Sequence, residues 1–265
     1  MSDDARFHGS VPGYYDKYLG PFLFDAYSDA LAARLPKREG LRVLEIACGS
    51  GRVTERLVRA LPPGGSLVAT DLNQAMIDFA REKVTDAGVR WQTADAAALP
   101  FEDASFDALV CGFGLMFVPD KAKALSEARR VLVQGGTLLA TVWGFLPDNP
   151  AIHAMHEKLL TMFPGNPPRF LETPYGFGDP SFWKEAAAGS AFTFVTVDRI
   201  HHAGQAPSAE DVATGFIKGS PLFLALAERG ADHDRVIREV TKVLAQAGGE
   251  RPFRTPLSGL LLEAS

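Results

Sequence analysis

The feature that most constrains the fold of this chain is the stretch from 42 to 53, which reads R-V-L-E-I-A-C-G-S-G-R-V. Its apolar residues Val43, Leu44 and Ile46 predict a strand that is buried on both faces of a parallel sheet. The glycines that follow predict a tight turn, and from Arg52 onward apolar residues recur at helical spacing. A buried strand, a glycine turn and a helix that begins over the turn together predict a cradle for a cofactor.

The identity of that cofactor depends on two details of the turn. A dinucleotide fingerprint has three glycines in the order G-x-G-x-x-G, whereas here Gly49 and Gly51 are followed by Thr54. Glu45 precedes the turn, and a carboxylate there would repel a diphosphate but would suit a ligand with a cationic end. S-adenosylmethionine has two such positive groups, an ammonium and a sulfonium. The alternative is an ordinary strand-to-helix turn with Glu45 at a solvated rim.

Composition narrows the class of protein. The chain has 265 residues, of which 46% are hydrophobic and 22% charged, with a net charge of −5. Its length allows one large α/β domain with insertions or two small domains, and its mild acidity argues against a nucleic-acid surface. No apolar stretch approaches the roughly 20 residues of a membrane span, and the first residues lack the basic and apolar segments of a signal peptide. We therefore expect a cytoplasmic monomer or homodimer that binds neither nucleic acid nor membrane.

The cysteines and histidines do not predict a metal site. Cys48 and Cys111 lie in apolar contexts without C-x-x-C spacing, so we expect reduced core residues rather than a disulfide or a zinc pair. His153 and His156 share a helix face at i and i+3, but no third ligand is evident. The predicted metal content is none.

Further apolar runs at 66–70, 89–94, 106–111 and 136–143 alternate with helical patterns, which predicts βαβ units and a ligand at the carboxyl ends of parallel strands. Asp71 lies about 20 residues after the glycine turn, where an acid can accept hydrogen bonds from ribose hydroxyls. It could instead cap the next helix, a role for which Asn73 competes.

Asp95 and Ala96 follow the third predicted strand. The carboxylate of Asp95 could accept a hydrogen bond from the exocyclic amine of an adenine, and the small Ala96 leaves room for the ring.

The segment before the cradle is unusually rich in tyrosine. Its second half has apolar residues at helical spacing and ends at Pro36, which predicts a helix. Tyr14, Tyr15 and Tyr18 precede that helix, and they either cover the cofactor and substrate or pack on the sheet.

Five stretches in order carry a resemblance to a known family: V-L-E-I-A-C-G-S-G at 43–51, T-D-L-N at 70–73, A-D-A at 94–96, L-P-F-E-D-A-S-F-D at 99–107 and R-R-V-L-V-Q-G-G at 129–136. Together they resemble class I S-adenosylmethionine-dependent methyltransferases of the UbiE/COQ5-like, type 11 group. The resemblance implies an α/β fold with a doubly wound, seven-stranded, mostly parallel sheet of the Rossmann-like kind, whose final strand runs antiparallel.

The resemblance also implies how the cofactor is held. Glu45 and the glycine turn would hold the methionine end, Asp71 the ribose, and 95–96 the adenine. Gly112 and Phe113 would lie alongside the sulfonium. The predicted cofactor-binding residues are Tyr14, Glu45, Ala47, Gly49, Gly51, Asp71, Leu72, Met76, Asp95, Ala96, Gly112 and Phe113.

Beyond residue 143 the pattern loosens. We predict strands at 191–200 and 257–263, with helical insertions near these C-terminal strands at about 145–180 and 203–252 that form a substrate lid. The predicted organisation is a single domain over 1–265, with a core at 36–144 and an N-terminal helical cover at 10–35.

Methyl transfer to an oxygen or carbon acceptor generally needs a base. His153 on the predicted lid helix is the preferred candidate, with Tyr18 as a second catalytic candidate, whereas 201–202 is expected in a surface turn. Tyr15, Tyr18, Phe117 and Trp143 are predicted to contact a small, apolar or aromatic acceptor, although Trp143 could equally pack in the core.

Three other functions remain open from the sequence. A protein of this fold could bind S-adenosylmethionine and carry out a cyclisation or a decarboxylation. A nicotinamide oxidoreductase is disfavoured by Glu45 and the missing third glycine. A non-catalytic binding protein would tolerate loss of Asp71. The motifs name neither the acceptor nor the atom that is methylated.

Overall fold

In the computed structural model, which describes residues 11–86 and 88–265, the strands form one seven-stranded sheet in the order β3-β2-β1-β4-β5-β7-β6. The strands are β1 Arg42–Glu45, β2 Ser66–Asp71, β3 Val89–Thr93, β4 Phe106–Gly112, β5 Leu132–Trp143, β6 Val195–Ala206 and β7 Phe253–Ala264. Predictions that fall on residues 1–10, including the first residue of the N-terminal cover, lie outside the described residues.

The direction of the strands confirms the predicted fold class. β1 pairs in parallel with β2 on one side and with β4 on the other, and β5 continues the parallel part beside β4. β7 runs antiparallel between β5 and β6. The strand order reverses between β1 and β4, and such a switch point opens a crevice at the carboxyl edge of a parallel sheet.

Helices cover both faces of the sheet. They are α1 Val11–Tyr14, a π-helix Tyr15–Phe24, α2 Asp25–Ala33, α3 Arg52–Ala60, α4 Gln74–Lys83, α5 Lys121–Val131, α6 Pro150–Met162, α7 Pro180–Gly189, α8 Ala209–Gly219, α9 Leu222–Ala227 and α10 His233–Gly248. Short 3-10 turns span Leu115–Phe117, Leu146–Asp148 and Phe170–Glu172. Across the described ranges, none of these helices is long and apolar enough to span a membrane.

Two helices, α4 and α8, begin with a capping side chain. The side chain of Asn73 accepts a hydrogen bond from the backbone N–H of Ala75 at 2.9 Å, so Asn73 caps α4 and Asp71 does not. The hydroxyl of Ser208 accepts one from the N–H of Asp211 at 3.1 Å at the start of α8. Asp71 is therefore available for a different role.

The fifth strand begins earlier than the predicted residue 136. β5 already begins at Leu132, directly after the helix. Gly135 has a φ of +71°, and the register between β4 and β5 shifts between Phe106 and Ala108. The glycine thus serves a bulge inside the strand, a conformation that glycine adopts more easily than other residues.

The prediction that 201–202 forms a surface turn is also wrong. β6 continues to Ala206, and His201 and His202 lie opposite Ser258 and Leu257 of β7. The reason is the long partner strand, because every residue of β6 pairs with β7. At its other end β6 starts later than predicted, since Ala191 adopts a φ of +66° and turns the chain.

The N-terminal segment is helical throughout its described part, from residue 11 to 33, and not only in its second half. Pro21 lies inside the π-helix, and the chain continues from this helix directly into α2. Single π-helical turns often occur at functional sites, and this one covers the crevice at the carboxyl edge of the sheet.

Candidate cofactor and acceptor site

The glycine turn after β1 is held in place by the neighbouring strands. The backbone N–H of Ile46 donates to the carbonyl of Val110 at 3.0 Å, and that of Cys48 donates to the carbonyl of Thr70 at 2.9 Å. Gly49 and Gly51 have φ values of +54° and +79°, in the left-handed region that favours glycine. The turn therefore presents bare backbone at the crevice.

Asp71 fastens the end of β2 to this turn. Its Oδ2 accepts a hydrogen bond from the N–H of Gly49 at 2.9 Å, and its Oδ1 accepts one from the N–H of Asn73 at 2.8 Å. Burial raises the pKa of Asp71, although backbone N–H donors lower it in part. Each carboxylate oxygen has a second lone pair, so Asp71 can still accept hydrogen bonds from ligand hydroxyls.

A cavity of about 330 Å³ opens at the carboxyl edge of the first four strands. Tyr15 and Phe117, which were predicted to contact the acceptor, also line it. The residues of the predicted cofactor-binding set that the structure brings together in its wall are Ala47, Gly49, Asp71, Leu72, Met76, Asp95, Ala96, Gly112 and Phe113.

Glu45, at the end of β1, lies beneath this wall and not in it. Its side chain is fully buried, and neither carboxylate oxygen has a hydrogen-bond partner among residues 11–86 and 88–265. Burial, together with the charge of Asp71, raises the pKa of Glu45 to about 8. The nearby Thr54 lowers this pKa in part, although its hydroxyl also has no hydrogen-bond partner of acceptable geometry among the described residues. The alternative of a solvated rim is therefore wrong. An orphaned buried carboxyl group beside Asp71 fits a ligand with a cationic end.

The π-helix is attached to the cradle by Asp16, a residue that the sequence did not single out. One carboxylate oxygen of Asp16 accepts hydrogen bonds from Ser50 Oγ at 2.8 Å, Arg52 Nε at 3.0 Å and Lys83 Nζ at 2.6 Å. The preceding residue, Tyr15, lines the cofactor cavity, and burial of its hydroxyl raises its pKa. We call Asp16 and its three donors, Ser50, Arg52 and Lys83, the latch. The latch holds the N-terminal helical cover over the glycine turn.

Three other predicted residues lie away from the cavity. Tyr14 and Tyr18 stack on each other with ring centroids 5.9 Å apart, and neither ring lines it. Gly51 is the N-cap of α3, and a Cβ there would approach the Cβ of Ala80 to 3.1 Å. Gly51 thus shapes the turn without facing the ligand.

A second cavity, of about 660 Å³, adjoins the first. It lies between the loop after β4 and the two insertions, with walls from 168–177 and 221–229. Phe117, Val118 and Pro119 line both cavities, so the two meet at this loop. We refer to it as the acceptor cavity.

Trp143 is part of the core and lines neither cavity. Its ring stacks on Phe113 at 4.1 Å and on Tyr175 at 5.5 Å, and the ring of Tyr27 meets it edge-on at 5.3 Å. The side chain is buried. Of the two interpretations left open by the sequence, the structure favours core packing, and Trp143 supports the wall of the first cavity through Phe113.

The predicted base His153 is not brought to either cavity. It lies on the exposed side of α6, with 41% of its side chain accessible and Nε2 at 3.6 Å from a carboxylate oxygen of Glu157. The buried face of α6, with Ile152 and Met155, packs against α10 and β7, and this packing turns His153 outward. No histidine in the described part of the chain lines the two cavities.

The described residues contain no group of three or more His, Cys, Asp or Glu side chains that could hold a metal ion. Cys48 and Cys111 are both free and buried, as the sequence predicted. Burial raises the pKa of both thiols, so neither is a reactive thiolate near neutral pH.

Comparisons with known proteins agree with this geometry. A family model described as "Methyltransferase domain" matches residues 44–140. The ubiquinone/menaquinone biosynthesis C-methyltransferase UbiE of Hahella chejuensis is 39% identical over 124 residues, which cover 45% of this chain and 49% of that protein. The demethylmenaquinone methyltransferase of Staphylococcus aureus is 37% identical over 126 residues, covering 46% and 52%. The chain therefore spans about half the length of the curated relatives it matches.

Solved structures with the same fold cover more of the chain. The YcgJ protein of Bacillus subtilis superimposes with a TM-score of 0.60 at 19% identity, covering 90% of this chain and 97% of that one. The phosphoethanolamine N-methyltransferase 2 of Haemonchus contortus, in complex with S-adenosyl-L-methionine, gives 0.61 at 19% identity, covering 96% and 56%. At this identity the likeness concerns the fold alone. The motifs, the strand order and the family match agree that residues 44–140 are similar to the methyltransferase domain of the UbiE-type relatives.

Proposed function

We propose that this protein transfers the methyl group of S-adenosylmethionine to a small, largely apolar or aromatic acceptor. One observation carries the proposal: a crevice walled by Asp71 and Asp95, with an orphaned carboxyl group beneath it, opens into a larger cavity at Phe117. The first space suits an adenosyl ligand with a positive end, and the second suits an acceptor.

Residues at the ends of different strands bind different parts of the cofactor. The carboxylate of Asp71 accepts hydrogen bonds from the ribose, while Gly49 allows the methionine end to approach bare backbone. Asp95 lies next to Ala96, where an adenine amine and ring would fit. Glu45 supplies negative potential for the cationic end. When bound, S-adenosylmethionine supplies a methyl carbon that its sulfonium has already activated.

The protein's own contribution to transfer is alignment and exclusion of water. The latch keeps Tyr15 over the cofactor crevice, and the insertions at 168–177 and 221–229 cover the acceptor cavity. Phe117 and Phe170 both line the acceptor cavity and stack on each other with ring centroids 6.2 Å apart, which gives a flat apolar surface for a planar acceptor. Since no described histidine faces this space, we assign no histidine as the base.

For this protein we propose only the chemical class of the relatives' acceptor. The relatives are named as methyltransferases of ubiquinone and menaquinone biosynthesis, which supports a small ring-shaped acceptor. The family match ends at residue 140, whereas most of the acceptor cavity is built after residue 167. We therefore propose the reaction and the acceptor class, and not the quinone itself.

The wider organisation is proposed from the sequence. We propose a single domain over 1–265, a core at 36–144, a cover at 10–35 and lid insertions at about 145–180 and 203–252. We also propose a cytoplasmic monomer or homodimer that binds no nucleic acid and no membrane.

Mass spectrometry tests the function directly. Purified protein is incubated with methyl-deuterated S-adenosylmethionine and a panel of catechols, hydroquinones and naphthols. We expect S-adenosylhomocysteine and a product heavier by one labelled methyl group, and both in lower yield from Asp71→Ala protein at limiting cofactor concentration. Turnover of the cofactor without S-adenosylhomocysteine would favour the cyclase or decarboxylase alternative, and absence of cofactor binding would favour a non-catalytic protein.

A further inference from the structure

The acceptor cavity carries an unbalanced positive charge in a chain whose net charge is −5. Its wall contains three cationic side chains, Lys121, Arg169 and Arg229, and two acidic ones, Glu172 and Glu228. Arg169 and Glu172 neutralise each other, with Nη1 and Oε1 at 2.6 Å. Glu228 is exposed and forms no ion pair with either remaining cation, so the wall keeps one net positive charge.

Lys121 is the cation best placed to contact a ligand. It is the first residue of α5, it is half-buried, and its Nζ donates to the carbonyl of Val118 at 3.0 Å. The ammonium lies 3.7 Å from the ring centroid of Phe177, another wall residue. An ammonium has three donors, so one hydrogen bond to Val118 leaves two uncommitted. No carboxylate of residues 11–86 or 88–265 lies within ion-pairing distance, and burial lowers the pKa of Lys121.

Arg229 contributes charge, but four of its five N–H donors are already committed. Its guanidinium bonds to the carbonyl of Asn166 at 2.7 Å, to Asn166 Oδ1 at 3.0 Å, to the carbonyl of Pro167 at 3.2 Å and to that of Ala225. These are neutral oxygens, so the positive charge is not cancelled. Arg229 thus fixes the wall in place and raises the potential of the cavity, whereas Lys121 can form new bonds.

Resting on the proposed function, we propose that the acceptor carries an acidic group, a carboxylate in the simplest case, which binds the ammonium of Lys121 while its apolar ring packs against Phe117 and Phe170. A partly buried ammonium without a counter-charge gains more from an anion than from a neutral group of the same shape. Val118 and Pro119 line both cavities, so this subsite adjoins the cofactor cavity.

The test compares two probes that differ only in charge. Binding of 2-naphthoate and of 2-naphthamide is measured by calorimetry, with and without saturating S-adenosylhomocysteine. We expect 2-naphthoate to bind at least tenfold more tightly than 2-naphthamide. Lys121→Gln should reduce the affinity for 2-naphthoate to that for the amide, and Lys121→Arg should keep most of the preference.

Lys123→Gln, an exposed lysine on the same helix, is the matched control and should leave the preference unchanged. Equal affinity for the two probes in the unmodified protein, no binding of either, or an undiminished preference in Lys121→Gln would each overturn the proposal. S-adenosylhomocysteine is titrated separately into the same proteins. A preference for 2-naphthoate without affinity for S-adenosylhomocysteine would refute the proposed function and leave the charged subsite standing, whereas the reverse would refute the subsite alone.

Discussion

Replacing Glu45 with glutamine tests whether a buried carboxyl group is held ready for a cationic ligand. Glu45→Gln keeps the shape of the side chain and removes its ability to ionise. In the ligand-free protein this carboxyl group is fully buried and has no hydrogen-bond partner in the described part of the chain, and its pKa is about 8. At pH 7 it is therefore mostly protonated, and a cationic ligand must drive off the proton.

The magnitude follows from the pKa. One pKa unit corresponds to about 1.4 kcal/mol, so ionising Glu45 at pH 7 costs roughly that amount and lowers the apparent affinity about tenfold. Each further decrease of one pH unit raises the free-energy cost of ionising Glu45 by the same amount, and above pH 8 this cost disappears. We expect the dissociation constant of S-adenosylmethionine to fall about tenfold between pH 6 and pH 7 in the unmodified protein because of Glu45.

Calorimetry in two buffers of different ionisation enthalpy measures both the affinity and the protons released on binding. The ligand and Asp71 also titrate, but they do so in both proteins, so the difference between unmodified and Glu45→Gln protein isolates Glu45. We expect the unmodified protein to release close to one proton more than the variant at pH 7. Equal proton release and parallel pH profiles in the two proteins would refute this reasoning.

The same pKa has a consequence for stability without ligand. Because folding raises the pKa of Glu45 from 4.5 to about 8, the folded protein binds more protons than the unfolded chain between these values. The contribution of Glu45 to the free energy of unfolding is thus fully present below pH 4.5 and is lost as the pH rises toward 8. Thermal unfolding should show Glu45→Gln protein gaining stability relative to the unmodified protein over this range.

Three further substitutions give separate expectations. Asp71→Ala removes the ribose acceptor and the partner of Gly49 N–H, so calorimetry should show S-adenosylhomocysteine affinity lowered by roughly 1–3 kcal/mol. Asp16→Asn weakens the latch, whose carboxylate accepts three donors; we expect a loss of about 1–3 kcal/mol in unfolding free energy by denaturant titration, and faster proteolysis near residue 16. Gly114→Ala would place a Cβ 2.3 Å from the Cβ of Ala47, so it should lower the melting temperature more than Gly49→Ala, where the new Cβ meets nothing within 4 Å.

Each of these three has its own control. Asp78→Ala, on the exposed side of α4, should leave ligand affinity unchanged, and equal losses in the two variants would contradict the role of Asp71. Asp29→Asn changes a mostly exposed partner of Arg56 and should cost little; an equal cost would contradict the latch. Gly49→Ala retains only the cost of its left-handed backbone, about 1–2 kcal/mol, and a larger effect there than at Gly114 would contradict the packing argument.

Most of the residues predicted to bind the cofactor line one cavity, and the sequence could indicate this because the features concerned are local. A buried strand followed by Gly49 determines a turn through backbone sterics, whatever packs around it. Asp71 and Asp95 come directly after strands, and the carboxyl ends of parallel strands share one edge of the sheet. Their convergence therefore needed only the parallel arrangement, which the alternation of strands and helices had already indicated.

The acceptor side could not be predicted in the same way, because it depends on how distant segments pack. The outward position of His153 is decided by the face of α6 that meets α10 and β7, and the length of β6 by its pairing with β7. The latch joins Asp16 to residues 34, 36 and 67 positions away along the chain, and no local pattern marks such a contact. No local pattern marks Lys121 as a binding residue either. It is the first residue of a helix, and it lines a cavity only because the distant insertions pack around it.

A crystal structure with S-adenosylhomocysteine bound tests the central claim most directly. We expect ribose hydroxyls within hydrogen-bonding distance of Asp71, the adenine beside Asp95 and Ala96, the amino group on the side of Glu45, and the sulfur next to Phe113. Density for the ligand elsewhere, or a well-ordered crystal that takes up none at millimolar concentration, would contradict it.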